Sequence, residues 1–144
     1  MGSTSASVDS KFLAKWYCHC NSCKELFQAA VSACAAFPVD SFKVDKGELK
    51  ALKRDDMKHY MMVCSSCFIP LFARNDKFNL EKVGIPEIRR CNSKEVAAKC
   101  QPTMHLFYGE RDLDIADDLP KFKDLPAGFG GSDILCEVDG TPKK

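Results

Sequence analysis

Cys18-His19-Cys20-Asn21-Ser22-Cys23 crowds three thiols into one short stretch, and that crowding restricts the chain more than anything else in it. Side chains at i and i+2 of an extended chain project to the same side. Cys18 and Cys20 therefore share a face, and His19 between them points to the other. A turn at Asn21-Ser22 brings Cys23 back to the thiol side. Three converging sulfurs with no metal would repel as thiolates or oxidise. Zinc takes sulfur ligands at about 2.3 Å and prefers four, arranged tetrahedrally. Cys18, Cys20 and Cys23 are thus read as three ligands of one Zn2+. A fourth protein group would make the site structural, whereas an open position would admit water or a substrate thiol. His19 is expected to pack or hydrogen-bond on the opposite face rather than to ligate.

The chain has nine cysteines, an odd number, so a complete set of internal disulfides is impossible. Met1 to Ser10 has no basic region followed by an apolar one, so no secretory signal is read there. Thiols in a reducing compartment follow as the expectation. Cys64-Ser65-Ser66-Cys67 is a second close pair, with the spacing of a zinc knuckle on a turn between strands. No thioredoxin-like helix opening follows it, which disfavours a redox dithiol. Cys64 and Cys67 need two more ligands for a structural zinc. Cys20 with Cys23 is one source, and some of Cys91, Cys100 and Cys136 are another. Cys34 lies among alanines beside Phe37 and is read as a core residue. Cys91 and Cys100 are expected to be inert small hydrophobes.

The formal net charge is +1, which gives phosphate binding no electrostatic basis. Lys50, Lys53, Arg54 and Lys58 are interrupted by Asp55 and Asp56, so this stretch reads as solvated surface and no nucleic-acid partner is expected. No apolar run approaches the roughly 20 residues that span a bilayer. A soluble, cytoplasmic protein without a membrane partner is the expectation.

Breakers are frequent and the apolar runs between them are short, which favours a mostly-β fold of small sheets with short helices. Strands are expected over Phe12–Tyr17, Phe42–Val44, Leu49–Lys53, His59–Val63, Phe68–Ala73, Asn79–Ile88 and Met104–Tyr108. Lys46-Gly47 suits a hairpin turn, and Pro70 suits an edge strand. Ala29–Phe37 fits either a buried strand or a helix. Short helices are expected over Asn21–Gln28, capped by Asn21 or Ser22, and over Ser93–Cys100, capped by Asn92 or Ser93. Leu113–Leu119 reads as a helical turn, with Asp112–Asp118 as its solvated acidic start. Residues 1–10 are expected to be disordered, 11–125 to form a single zinc-binding domain, and 126–144 to be a mobile tail.

From Tyr17 to Phe122, the motifs and their order resemble the glutathione-dependent formaldehyde-activating enzyme family, whose domain is shared with centromere protein V. The resemblance is carried by Cys18-His19-Cys20-Asn21-Ser22-Cys23-Lys24, Ala36-Phe37-Pro38 with Phe42, and Cys64-Ser65-Ser66-Cys67 with Pro70-Leu71-Phe72. It continues through His105-Leu106-Phe107 and Asp114 to Phe122. It implies a zinc-containing, mostly-β domain of two or three small sheets. It also implies that Cys18, Cys20 and Cys23 bind a catalytic zinc with an open fourth position, and that Cys64 and Cys67 supply half of a structural zinc site. In the family the other half is an N-terminal Cys-x-Cys, but residues 1–17 contain no cysteine. The structural zinc is then missing, rebuilt from other cysteines, or merged with the first cluster.

The implied activity is that of a zinc-dependent carbon–sulfur lyase or synthase acting on a glutathione–aldehyde adduct. The resemblance assigns no proton-moving group; His19 and Tyr108 are the candidates. The alternative is a non-catalytic zinc-binding module for a protein partner.

Overall fold

A computed structural model describes residues 12–57, 59–90 and 94–144 in full, and the main chain of 5–8 and 91. In chain order the elements are β1 (Ser5–Val8), β2 (Ala14–Cys18), α1 (Asn21–Phe27), β3 (Ser32–Pro38), β4 (Phe42–Lys46) and β5 (Leu49–Leu52). There follow β6 (Tyr60–Cys64), β7 (Pro70–Asn75), β8 (Leu80–Gly84), α2 (Ile85–Cys91), α3 (Lys94–Lys99) and β9 (His105–Leu106). Short 3-10 turns cover Tyr108–Glu110 and Ala127–Phe129. The protein is mostly β with short helices, as its pattern of breakers implies. No helix among the described residues is long and apolar enough to cross a membrane. The described chain falls into two compact units. One joins the described part of Met1–Ala14 to Cys34–Gln101, and the other joins Lys15–Ala33 to Pro102–Lys144.

In the first unit, β5, β6, β7, β8 and β3 are antiparallel neighbours in that order. The small-residue run of β3 is a strand, paired antiparallel with β8, and Cys34, Ala35, Ala36 and Phe37 are all buried, as in a strand covered on both faces. Phe42 and Phe72 meet with ring centroids 5.0 Å apart. Phe42 lies on β4, which pairs with β1 and not with β5. Lys46-Gly47 therefore links strands of different sheets instead of closing a hairpin. The left-handed φ of Gly47, 88°, serves that change of direction. Ser5–Val8, placed by its polar composition in a disordered N-terminus, is paired as β1; the rest of residues 1–10 lies outside the described residues.

Three further expectations shift in this unit. Pro70 does not mark an edge strand; it is the first residue of β7, which has β6 and β8 on its two sides. A proline is tolerated at that position because it withholds only a terminal N–H. The strand expected over Asn79–Ile88 ends at Gly84, and α2 begins at Ile85 with Pro86 in its first turn, where its fixed φ suits a helix. The helix expected over Ser93–Cys100 is α3; its proposed caps, Asn92 and Ser93, lie outside the described residues, as do Lys58 and the side chain of Cys91. Arg54 pairs with Asp56 on the surface at 2.6 Å, consistent with a solvated basic stretch.

The second unit is built on β2 and β9, which pair in parallel through Tyr17 with His105 and Cys18 with Leu106. No helix forms over Leu113–Leu119. Ile115 N–H donates to the Tyr108 hydroxyl at 2.9 Å, and Leu119 N–H donates to Asp117 Oδ1 at 3.2 Å, so these donors are used locally. The residues expected to be a mobile tail are tied by backbone bonds: Cys136 N–H to Lys121 O at 2.7 Å and Lys143 N–H to Leu135 O at 2.7 Å. Gly131 comes so close to Leu125 that a Cβ would stand 2.0 Å from its carbonyl oxygen. Gly140 likewise leaves room for Arg111, whose Nη1 would stand 2.0 Å from a Cβ there.

Candidate metal centre

β2 delivers Cys18 at its last residue, and α1 begins three residues later. Between them the chain turns through Cys20, which is the N-cap of α1 in extended conformation. Its thiol accepts the Cys23 N–H at 3.3 Å, so the cap is neither Asn21 nor Ser22. A sulfur at this position does what a serine or asparagine oxygen usually does, satisfying an N–H of the first turn. The Cys18 and Cys20 sulfurs lie 3.4 Å apart, and all three sulfurs lie within 4.8 Å of one another. A tetrahedral ion with bonds of about 2.3 Å needs sulfurs about 3.8 Å apart, a spacing these values bracket. The donor set fits a thiophilic cation. Cys18 and Cys23 are buried and Cys20 is half-buried.

Cys64 is buried and Cys67 exposed on the turn between β6 and β7, where Phe68 N–H donates to Cys64 O at 2.9 Å. Among the described residues, neither belongs to a gathered set of three ligand-type side chains. Cys34 and Cys100 are fully buried. Cys136 is buried as well, and burial pushes its thiol up.

His19 is fully buried. Its Nε2 lies 2.9 Å from His105 Nδ1. His105 Nε2 lies 2.8 Å from Asp117 Oδ2, and Lys121 Nζ donates to Asp117 Oδ1 at 2.7 Å. Burial is the main cause that lowers His19 to about 4, and the neighbouring His105 adds to it. Burial also lowers His105, against the pull of Asp117. Burial would raise Asp117, but hydrogen bonds from Lys121 and His105 outweigh it and hold the carboxyl below its usual range. Tyr108, the other proton-transfer candidate, is fully buried and donates to Val138 O at 2.6 Å while accepting from Ile115 N–H. Its hydroxyl thus ties this turn to the C-terminal segment.

Sequence reasoning missed the line through His105, Asp117 and Lys121. The available signal was a histidine within a short apolar run and an acidic stretch that was too readily assigned to solvent. On α1, Lys24 Nζ donates to Glu110 O at 2.7 Å and pairs with Asp112 at 3.0 Å. An open depression of about 530 Å³ runs beside this helix, lined by Asn21, Lys24, Glu25, Gln28 and Asp112 among others.

The glutathione-dependent formaldehyde-activating enzyme family matches residues 2–110, well over half of the chain. The chain belongs to this family. The formaldehyde-activating enzyme description ties glutathione to the activation of an aldehyde, and the three gathered thiols fall inside the matched region. No curated protein matches the chain.

Proposed function

We propose that the protein is a zinc-dependent carbon–sulfur lyase or synthase, acting on the adduct of glutathione with formaldehyde or another aldehyde. The observation that carries this reading is the convergence of Cys18, Cys20 and Cys23 inside the family match. These three cysteines would hold the ion, with the fourth position left to the substrate. When bound, the ion would hold an incoming thiol as a thiolate, because three thiolate ligands leave it too weakly acidic to polarise a carbonyl well.

The chain's own residues do the rest. The Cys23 N–H directed at Cys20 Sγ favours the thiolate form of that ligand. A tripeptide thiol seated in the open depression would substitute its carboxylates and peptide groups for the contacts that Lys24 makes with Asp112 and that Gln28 makes with Glu25 O. In the synthase direction the sulfur bonds to the carbonyl carbon, and the thiol proton ends on the former carbonyl oxygen; in the lyase direction both changes reverse. We place the protein in the cytoplasm, where glutathione is abundant and thiols stay reduced. In this reading Cys64 and Cys67 contribute to a second, structural zinc.

The test is titration of the cobalt-substituted protein with millimolar glutathione. A thiol entering the fourth position shifts the visible absorption bands, and an alcohol analogue lacking the sulfur does not. An unchanged spectrum, with four cysteine ligands already present, would make the protein a closed zinc module for a protein partner.

A further inference from the structure

In the second unit, Lys121, Asp117, His105 and His19 form one hydrogen-bonded line, and its protons can be assigned from the acidic end. Lys121 Nζ is buried and donates to Asp117 Oδ1, to Asp117 O at 3.0 Å and to Leu119 O at 3.1 Å. A carboxylate held this way is ionised, so Asp117 Oδ2 can only accept. His105 Nε2, at 2.8 Å, must therefore carry a proton. A neutral imidazole carries one proton, which leaves His105 Nδ1 an acceptor. His19 Nε2, at 2.9 Å, must then donate to it. His19 Nδ1 is left as a bare lone pair. That atom is buried and has no hydrogen-bond partner among the described residues. The opposite assignment would set a ring lone pair against the carboxylate.

We propose that Asp117 is a positioning residue for the cysteine loop: acting through His105, it locks both buried histidines as Nε2–H tautomers, so that His19, which stands between Cys18 and Cys20 in sequence, is anchored through its Nε2–H. The tautomer assignment stands whether or not the catalytic reading is right.

The experiment is long-range 1H–15N correlation spectroscopy of the full chain with 15N-labelled histidines, near neutral pH. In the wild type, His19 and His105 are both expected to carry their proton on Nε2. In Asp117→Asn, Lys121 retains the amide oxygen, which turns the amide NH2 toward His105 Nε2. Both rings are then expected to move their proton to Nδ1, a change that a merely structural role for Asp117 would not cause. Lys121→Met keeps the carboxylate and should keep both Nε2–H forms. A wild-type proton on Nδ1 of either ring overturns the proposal, and so do unchanged tautomers in Asp117→Asn. If Asp117→Asn does not fold, the wild-type and Lys121→Met spectra still decide it.

Discussion

Cys20 serves two purposes with one atom. Its sulfur is a candidate ligand beside Cys18, and it also caps α1 by accepting the Cys23 N–H. Substitution separates the two. Serine retains a capping oxygen but is a poor ligand for a thiophilic ion, whereas alanine removes both functions. Cys20→Ser is therefore expected to lose metal while the metal-free protein keeps its thermal stability. Cys20→Ala is expected to lose metal and, in the metal-free state, about 1 kcal/mol as well. Metal analysis together with chelator-treated thermal melts reads both effects. Equal stability of the two metal-free variants would remove the capping role. The thiol convergence was legible beforehand, because alternation along a strand and one turn suffice to produce it. The sulfur cap was not, since cysteine rarely caps helices and Asn21 and Ser22 stood next in line. That His19 would pack or hydrogen-bond was legible too, but its partner was not: His105 lies 86 positions away, beyond any local rule.

The elements themselves were mostly visible in the short apolar runs and breakers, and the errors were in their partners. β4 and β5 look like a hairpin in sequence because only Gly47 and Glu48 separate them, yet each pairs elsewhere. Local turn chemistry does not record which sheet a strand enters. A buried carboxylate explains part of the real arrangement. Glu81 on β8 is fully buried and accepts from Asp40 N–H at 2.8 Å, Phe42 N–H at 3.1 Å and Arg74 Nη2 at 2.8 Å. It thereby fixes the turn that leads from β3 into β4. Glu81→Gln keeps the shape but removes the charge from these bonds and leaves the Arg74 cation poorly matched. A loss of about 2 kcal/mol is expected, within the range for hydrogen bonds to charged groups, measurable by urea denaturation. A change below a few tenths of a kcal/mol would show that the network contributes little. Asp112–Asp118 misled for a related reason. Acidic runs usually face solvent, and nothing near it in sequence announces that Asp117 meets a buried histidine and a buried lysine.

At the scale of the molecule, the family match agrees with the mostly-β architecture and with the thiol cluster, and it frames the reading of the chain as a glutathione-linked enzyme. The two cysteine motifs are not equivalent within the fold. Cys18, Cys20 and Cys23 assemble inside one unit from a strand end, a loop and a helix start. Cys64 and Cys67 sit on the β6–β7 turn of the other unit. Cysteine spacing revealed the triplet and the pair but could not rank them, because a ligand set is a property of packed elements. The central claim is that the first cluster binds zinc by itself. It is tested most directly by zinc per chain in the wild type, Cys20→Ser and Cys64→Ser, with folding checked in each. The cluster's zinc should be present in the wild type, lost in Cys20→Ser and retained in Cys64→Ser. A wild type without zinc, zinc undiminished in Cys20→Ser, or complete loss in a folded Cys64→Ser would contradict it.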